Sequence, residues 1–495
     1  MDPGKLTQDT LDQLKKAAPQ DPSVLGKAYN QALGLVWYDL EPTAKLLYPV
    51  ITPLRNMIPR VSGNGGTATN WKSITAINTG KMSAGVGEGN RSGAISVTAQ
   101  SLNAAYKGLG MEDWVSFEAD YAAQNFDDVK ALAVLNLLRA VMIAEEQIIL
   151  LGDGSFQLNA GNATPTPTAA TSNNTGTLTA NTVYFGRCLA LTPQGYQLAN
   201  MANGVVATTV RTNVDGTNDT INGGCGIISA ANNANASNKT SIDFAGVAVK
   251  GAAGYAWYCG TNQNSANLVA ITTVPKYCYL GNETVANQTA NAFVGNATDR
   301  SNDALIFDGL WTQICTANSG AYFADLGGNA LNVANGSASC NEIDTALRSF
   351  WDNYRLSPDT MIVAAQEVNN LNRKILSGNG APLFRFNMDA GGQETYTAGR
   401  LIGNYLNKFS MDGGQLVKVM LHPNQPPGAI MFYSSKVPYP LSNVQNILQV
   451  KTRRDYYQIE WPLKRRAYEY GVYVDELLQN YFPPAFGLIT GIADA

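Results

Sequence analysis

A long stretch in the middle of the chain carries almost no charge, and this break in composition limits how the whole sequence can fold. From Ser155 to Cys340 only 14 of 186 residues are Asp, Glu, Lys or Arg, whereas Lys451 to Ala495 holds 12 in 45. The middle stretch is rich in Asn, Thr, Ala and Gly, and its short β-prone runs are separated by turn residues. This pattern predicts a small β-sandwich, not helices, over 155–300. The β-prone runs are Thr182–Phe185, Val247–Val249, Tyr255–Tyr258 and Leu268–Ile271.

Two further segments precede this stretch. At 495 residues the chain is too long for a single hydrophobic core, so several packed units are expected. Residues 1–60 are predicted to form an N-terminal arm that lies along a surface, because its later part is broken by Pro42, Pro49, Pro53 and Pro59 and cannot be one helix. Residues 61–110 are predicted to form an extended hairpin with a glycine-rich tip at Ser83–Gly93. An isolated pair of strands buries little surface, so we expect the hairpin to rest on another chain.

The clearest local prediction is a long helix. Its body, Asp127–Leu150, contains neither Gly nor Pro, Asn125 or Asp127 is a suitable N-cap, and Gly152 follows as a stop signal. Outside one narrow polar stripe the surface of this helix is mostly apolar, so the helix is expected to be buried on most sides. Its narrow polar stripe consists of Asp128, Arg139 and Glu146.

The sequence beyond the middle stretch mixes both kinds of element. Ile343–Tyr354 and Gln366–Leu376 have helical periodicity, and Thr360–Ala364 between them is β-prone. Along Lys464–Asp475 apolar and polar residues alternate with the period of a strand. The chain is therefore predicted to be an α+β protein.

The reactive side chains do not form a recognisable catalytic motif. The single histidine, His422, lies in a segment of prolines and glycine without a nucleophile motif, so a solvated or packing role is expected. Acid pairs such as Glu145/Glu146 and Glu112/Asp113 are more often solvated or in salt bridges than catalytic. We nominate no catalytic residue, no metal ligand and no cofactor.

The cysteines carry no zinc or redox spacing, since no CxxC pair occurs. The first thirty residues contain no continuous apolar stretch, so we expect no secretory signal and a reducing compartment. The longest apolar-rich segment, Val129–Leu151, is interrupted by charged residues, so we expect no membrane span. Buried free thiols are the main expectation and disulfides the alternative, at Cys188, Cys225, Cys259, Cys278, Cys315 and Cys340.

Charge limits the partners of the chain. A net charge of −4 argues against a protein that grips duplex DNA, because such binding depends on clustered Lys and Arg. The basic doublets Arg453/Arg454 and Arg465/Arg466 alternate with aromatic residues, as a nucleic-acid stacking surface would. Acidic residues are interleaved with them, which favours ion pairing between neighbouring chains.

The order of these parts resembles the major capsid proteins of tailed double-stranded DNA bacteriophages, which have the Hong Kong 97 fold. The helix that ends in ILLGDG, Ile149–Gly154, is similar to the spine helix of that family and to the turn that follows it. Leu356–Leu371 resembles the strand and helix of the axial domain, and Gln458–Tyr473 with Pro483–Gly491 resembles the closing strands. The turn residues are Gly152, Asp153 and Gly154, whose glycines permit the reversal of the chain.

This resemblance implies a division of the chain. Residues 111–154 would be a peripheral domain with the spine helix, 155–300 an inserted domain, and 301–435 the axial domain. Residues 436–480 would return to the peripheral domain, and 481–495 would close the axial domain. The middle sandwich is the departure from the family pattern.

The resemblance also implies a function. The chain would self-assemble into hexamers and pentamers of an icosahedral head, in a virion assembled in the host cytoplasm. Double-stranded DNA would lie nearby without specific contacts, and portal, scaffolding or decoration proteins would be partners. An encapsulin-type bacterial compartment and an extracellular adhesin are the alternatives. Contacts between subunits are predicted at Lys81, Glu88, Arg91, Arg453, Arg454 and Asp455.

Overall fold

The computed structural model describes most of the chain beyond residue 49. The described residues are 50–77, 85–91, 94, 96–123, 128–159, 164–295, 298–333, 339–377, 385–388, 394–397, 403–411, 414–439 and 442–494. Their α-helices are α1 Pro53–Met57, α2 Phe117–Ala122, α3 Val129–Leu151, α4 Pro193–Leu198, α5 Leu310–Cys315, α6 Asn341–Tyr354 and α7 Ala365–Ser377. Short 3-10 turns lie at Ala290–Ala292 and Pro483–Ala485.

Strands are the more numerous elements of this part of the chain, and the predicted α+β class is confirmed. The first thirteen are β1 Arg60–Ser62, β2 Ala68–Ile77, β3 Val97–Ala105, β4 Lys107–Ser116, β5 Thr168–Ser172, β6 Val183–Leu191, β7 Thr208–Thr212, β8 Asn218–Asn222, β9 Asn232–Asn235, β10 Ser241–Ala245, β11 Gly254–Gly260, β12 Asn267–Thr272 and β13 Lys276–Tyr279. The others are β14 Tyr322–Asn329, β15 Thr360–Val363, β16 Arg385–Met388, β17 Glu394–Thr397, β18 Asn404–Asn407, β19 Gln415–Leu421, β20 Ile430–Tyr433, β21 Leu448–Glu460, β22 Ala467–Asn480 and β23 Gly487–Ile492.

The predicted long helix is α3, and its bounds agree with the prediction to within two residues. Its N-cap is Asp128, whose carboxylate accepts a hydrogen bond from the N–H of Ala131, so the predicted caps Asn125 and Asp127 are wrong. The predicted polar stripe is wrong at Glu146, which is fully buried. A carboxylate on the polar side of a helix can bind protein groups instead of water. Glu146 accepts hydrogen bonds from the backbone of Leu54 and Arg55, which are distant in the sequence.

Helix α3 packs against a four-stranded sheet in the order β1-β21-β22-β4. Strands β4, β21 and β22 are antiparallel, whereas β1 runs parallel to β21. The strand predicted over Lys464–Asp475 begins at Ala467 and continues to Asn480. Its predicted alternation holds, since Tyr470, Val472 and Val474 enter the core together.

A second sheet of six strands has the order β14-β23-β20-β15-β19-β18. Helices α6 and α7 and strand β15 confirm the three predictions made for residues 343–376. The sheet shares one continuous apolar core with α3 and the four-stranded sheet. Fully buried members from all three include Ile149, Ile362, Phe432, Val474 and Leu488.

The predicted hairpin is formed by β2 and β3, which pair from Ala68↔Ala105 outward to Ile77↔Val97. Only Tyr106 separates β3 from β4, so one extended run of chain belongs first to the hairpin and then to the four-stranded sheet. The hairpin and the four-stranded sheet are therefore joined directly, without a loop between them.

The middle stretch contains two facing sheets, β13-β10-β5 and β12-β11-β6-β9, around a separate apolar cluster that includes Trp257. The runs Tyr255–Tyr258 and Leu268–Ile271 lie in β11 and β12 as predicted, and Thr182–Phe185 overlaps the start of β6. The prediction of a strand at Val247–Val249 is wrong, because the N–H of Val249 is bound by the Tyr255 hydroxyl and not by a neighbouring strand.

Among the described residues of 155–300, one α-helix, α4, occurs where none was predicted. Pro193 starts it and the Thr192 hydroxyl accepts a hydrogen bond from the N–H of Gly195, which together satisfy the first turn. All six cysteines are free, and only Cys278 is not fully buried.

Candidate functional site

Residues 52–62, here called the strap, lead onto the body of the protein. The body is the part that shares one apolar core, namely α3, the four-stranded sheet and the six-stranded sheet. Pro53 occupies the first turn of α1, where a missing N–H costs nothing. Leu54 and Ile58 enter the core, and β1 adds to the edge of the sheet beside β21. Leu54 and Ile58 thus anchor this end of the predicted arm, while Met57 and Val61 stay exposed. Residues 1–49 of the arm lie outside the described residues, so an arm that lies along a surface stays a prediction.

Glu146 of α3 holds the first turn of the strap. Its Oε1 accepts a hydrogen bond from the N–H of Leu54 at 2.8 Å, and its Oε2 accepts one from the N–H of Arg55 at 2.7 Å. Thr52 provides no side-chain cap, so this carboxylate takes the place of one. The Nε2 atom of His422 lies 2.7 Å from Oε1 of Glu146.

The neighbouring Glu145 binds the arginines of the strap. Its Oε2 accepts a hydrogen bond from Nε of Arg55 at 2.9 Å, and its Oε1 is paired with Arg60. The hydroxyl of Tyr456, on β21, also donates to Glu145. Both guanidinium groups lie over the Tyr456 ring, at 5.2 Å for Arg55 and 4.8 Å for Arg60.

Arg60 joins this group to β22. Its Nη2 donates to Glu476 at 3.0 Å and to Asp455 at 2.7 Å. Burial disfavours the charge of Arg60, but Glu145 and Glu476 outweigh that effect and raise its pKa above the ordinary value. We call Arg55, Arg60, Glu145, Glu146, His422, Tyr456 and Glu476 the buried ionic cluster.

Glu476 is the unusual member of this cluster. Burial, followed by the nearby charge of Glu145, raises its pKa to about 8 even though Arg60 acts in the opposite direction. Its Oε1 and the Nε of Arg60 are buried without a hydrogen-bond partner. The cluster therefore brings three carboxylates together with two guanidinium groups and leaves hydrogen-bonding capacity unused.

The cluster was only partly predictable from sequence. Salt bridges were one of the two expectations for Glu145/Glu146, and they are present, while the solvated alternative is wrong. His422 is buried, which confirms the packing role over the solvated one. Arg60 and Glu476 were missed, because they are 416 positions apart and no local pattern links them.

The turn after α3 is as tight as the Gly-Asp-Gly sequence suggested, but for a different reason. Gly152 has φ −54°, a value open to any residue. A Cβ on Gly152 would lie 2.5 Å from the carbonyl oxygen of Phe307, and one on Gly154 would collide with the carbonyl of Ile306. Close backbone approach, not unusual torsion, requires these glycines.

Asp153 lies between them and is buried. Its carboxylate accepts a hydrogen bond from the N–H of Phe156, and burial together with the charge of Asp308 raises its pKa to about 8. The chain returns to this point from the middle stretch, since the N–H of Asp303 donates to the Asp153 carbonyl at 2.7 Å. No three His, Cys, Asp or Glu side chains among the described residues are grouped to hold a metal ion.

Two of the three predicted contact residues of the hairpin lie among the described residues. Glu88 and Arg91 are exposed at its tip, and Lys81 lies outside the described residues. The base of the hairpin rests on its own chain, where the Trp71 indole donates to the Asn480 carbonyl at 2.9 Å. A contact of the tip with another subunit stays a prediction.

The predicted contact residues of β21 have partners within the chain. Arg453 pairs with Asp475 at 2.8 Å, Arg454 lies 3.8 Å over the Tyr457 ring, and Asp455 binds Arg60. Ion pairing at this position therefore occurs inside one subunit. Contacts of these residues between subunits stay a prediction.

Comparison with known proteins finds a family model that matches part of the chain. Residues 282–439 match the model of the SU10 major capsid protein family. No curated protein matches the sequence. Within the described residues, no helix is both long and apolar enough to cross a membrane.

Solved structures of capsids superimpose loosely on the chain. The capsid of an empty GTA particle has TM-score 0.40 and 9% identity, covering 94% of this chain and 98% of that one. The capsid of Myoviridae phage XM1 has TM-score 0.40 and 12% identity, covering 93% and 98%. The holo-SrpI encapsulin complex from Synechococcus elongatus has TM-score 0.39 and 8% identity, covering 94% and 95%. Superpositions this loose carry no conclusion of their own.

The family match agrees with the resemblance found in the order of the sequence segments, which rested mainly on other parts of the chain. The match covers about a third of the chain, and over residues 282–439 the sequence is similar to the SU10 major capsid protein family.

Proposed function

We propose that this chain is a bacteriophage major capsid protein that assembles as hexamers and pentamers into a closed icosahedral head, which encloses double-stranded DNA. The observation that carries the proposal is the match of residues 282–439 to a major capsid protein family. A closed head requires each subunit to bind several neighbours through repeated surfaces. The proposal therefore makes the exposed parts of the chain contact surfaces between subunits.

The hairpin supports this proposal physically. Ile74 and Val97, on its two strands, are 68% and 51% exposed. A two-stranded ribbon with apolar side chains in water is marginally stable, and a neighbouring subunit that covers them would stabilise it. Glu88 and Arg91 at the tip would then form ion pairs with that neighbour.

We propose the division of the chain that the resemblance implies. The four-stranded sheet with α3 would be the peripheral domain, and the six-stranded sheet the axial domain. The two-sheet sandwich would be a domain inserted at the Gly152–Gly154 turn. Its separate apolar cluster, and the hydrogen bonds that bring the chain back to Gly152 and Asp153, support an insertion.

The net charge of the chain supports a shell that encloses DNA without binding it tightly. The net charge of −4 does not favour tight binding of phosphates, and Arg453 is already paired with Asp475. DNA would lie beside the inner wall through proximity alone. Portal, scaffolding and decoration proteins would bind the assembled head, with no catalytic step by this chain.

The test is the assembly state of the expressed full-length chain. We expect uniform closed particles or rings of five and six subunits in negative-stain electron microscopy, and a stable monomer would contradict the proposal. Particles isolated from the native source should contain nuclease-protected double-stranded DNA. Protein cargo without DNA would instead favour a bacterial compartment of the encapsulin type.

A further inference from the structure

Helix α3 is apolar around most of its circumference, but the described residues bury only part of that surface. Towards the four-stranded sheet its side chains enter the common core, as Ala133, Leu137 and Val141 do. The helical period of 3.6 residues places a second apolar row on the opposite side. That row, here called the outer face of α3, consists of Leu132, Leu135, Met142 and Ile143. None of the four belongs to an apolar cluster formed by described residues.

The outer face is partly open to water. Leu135 is 42% exposed, and Leu132, Met142 and Ile143 are half-buried. Arg139 lies among them, and its Nη1 donates a hydrogen bond to Asn136 of the same helix at 3.4 Å. A helix with apolar side chains on all sides is normally buried by other elements. The outer face therefore calls for a cover that the described residues do not supply.

The strap brings the N-terminal side of the chain to one end of the outer face. The backbone N–H groups of Leu54 and Arg55 bind Glu146, which lies one helical turn beyond Met142. Ile51, just before the strap, is 55% exposed and adds an apolar side chain to the segment that arrives there. Residues 1–49 therefore join the described chain close to the Met142 end of the outer face.

The sequence before residue 50 contains a segment with the pattern of such a cover. Val24–Leu35 is predicted to be an amphipathic helix, because apolar residues recur in it at spacings of three and four. The row consists of Leu25, Ala28, Ala32 and Leu35. Its two alanines would allow a second helix to approach closely. These residues lie outside the described part of the chain, so the helix is a prediction from sequence.

The connection is long enough for this segment to reach the outer face. Residues 36–49 join it to the described chain, and fourteen extended residues span up to about 46 Å. At 1.5 Å per residue the outer face is about 17 Å long from Leu132 to Ile143. A short tether gives a high effective concentration, which falls as the tether lengthens. The other amphipathic stretch, Leu6–Ala17, has a longer tether and is therefore less favoured.

We propose that residues 24–35 form a helix that covers the outer face of α3 in the same chain. The N-terminal arm would then be fixed to the body twice, by the strap and by this helix. Residues 1–23 would extend from the second contact and not from the strap. The proposal concerns a single chain, so it does not depend on the proposed function.

Hydrogen exchange of the full-length chain tests whether the segment is covered. We expect the amides of residues 24–35 to be protected in the unmodified chain. Leu135→Asp places a carboxylate in the middle of the outer face, and its burial against apolar side chains is costly. The variant should therefore reduce the protection of residues 24–35 by about tenfold or more. The body should stay folded, because Leu135 is not part of the common core.

Val210→Asp is the matched control, since Val210 is 60% exposed on β7 of the sandwich. It should leave the protection of residues 24–35 unchanged. Unprotected amides in the unmodified chain would overturn the proposal, as would protection that survives in Leu135→Asp or falls equally in Val210→Asp. If Leu135→Asp does not fold, Leu135→Ser removes the same apolar contact without adding a charge.

Photo-crosslinking identifies the chain that supplies the cover. A benzophenone-bearing amino acid in place of Leu135 reacts with the groups that it contacts, and mass spectrometry locates the product. We expect crosslinks to residues 24–35 that leave the chain at its monomer mass on a denaturing gel. A product of twice that mass would assign the cover to a second copy, and a crosslink to residues 6–17 would assign it to the other stretch. Either result would overturn the proposal.

Discussion

Glu146 shows how a single side chain can substitute for a helix cap across a large separation in sequence. Its two oxygens receive the backbone N–H groups of Leu54 and Arg55, which a residue before α1 would ordinarily satisfy. Loss of one buried acceptor leaves a backbone donor without a partner, which costs more than the bond itself contributes.

Replacing Glu146 by Gln should therefore loosen the strap. The amide can accept one of the two N–H bonds but presents an N–H₂ group to the other donor, which is left buried without an acceptor. We expect the opening free energy of the strap to fall by about 3 kcal/mol, measured by hydrogen exchange at residues 54 and 55.

Asp455→Asn is the control for this experiment. It removes a partner of the same strap through Arg60, but the side chain of Asp455 is 58% exposed, and exposed ion pairs contribute under about 1 kcal/mol. Equal effects of the two variants would show that burial does not distinguish the two contacts.

The members of the buried ionic cluster could hardly be recognised from the sequence. Glu145 and Glu146 were visible as a pair, but their partners Arg55 and Arg60 were not, because the pairing depends on three-dimensional proximity. The roles of the buried carboxylates, including Glu476, follow from which charges surround them. No spacing rule encodes that arrangement.

Elements were predicted well where one local period extends over many residues. Helix α3 and the hairpin of β2 and β3 follow from uninterrupted patterns and from glycines at their ends. The strand predicted at Val247–Val249 fails because three β-branched or small residues are too short a signal against one competing hydrogen bond from Tyr255. Helix α4 was missed for the same reason, since its stop and start signals occupy only six residues.

The turn after α3 gives a test at the level of elements. Gly152→Ala would place a Cβ 2.5 Å from the Phe307 carbonyl and 2.6 Å from the Ile148 carbonyl, and backbone atoms cannot move aside cheaply. We expect a loss of about 2 kcal/mol or more, seen as a lower unfolding temperature in circular dichroism.

Gly403→Ala is the matched substitution, because an added Cβ at Gly403 would meet no other atom of the described chain within 4 Å. It should change stability by less than about 0.5 kcal/mol. If both variants melt at the same temperature, close approach is not the reason for glycine at 152.

For the whole molecule, the sequence indicated the order of the parts but not how they are joined. The single core that runs through α3 and both large sheets, and the separate core of the sandwich, could not be derived from the break in composition alone. Composition reports which residues favour burial, whereas the partition into cores depends on which sheets face each other. The family match at 282–439 agrees with the segment order.

Assembly is the property of the whole molecule that the hairpin tip should control. Reversing charge with Glu88→Arg or Arg91→Glu changes exposed side chains and should leave the fold intact, since neither is part of a core. We expect each variant to form fewer closed particles, by about tenfold or more at the same subunit concentration, as counted by electron microscopy after size separation.

Asp243→Arg, an exposed charge reversal on the sandwich, is the comparison variant and should assemble normally. Normal particle yields from the two tip variants would contradict a role of Glu88 and Arg91 in contacts between subunits. Circular dichroism of all three variants confirms that any difference arises after folding.

The continuity of β3 and β4 also determines how the molecule carries mechanical load. A pull along the hairpin acts on β4 parallel to its axis, and β4 is paired with β22 from Lys107↔Glu476 to Ser116↔Ala467. Force in that direction strains all of these hydrogen bonds together, in shear, instead of opening them one at a time. The attachment of the hairpin to the body should therefore resist a pull along β4 better than a pull across it.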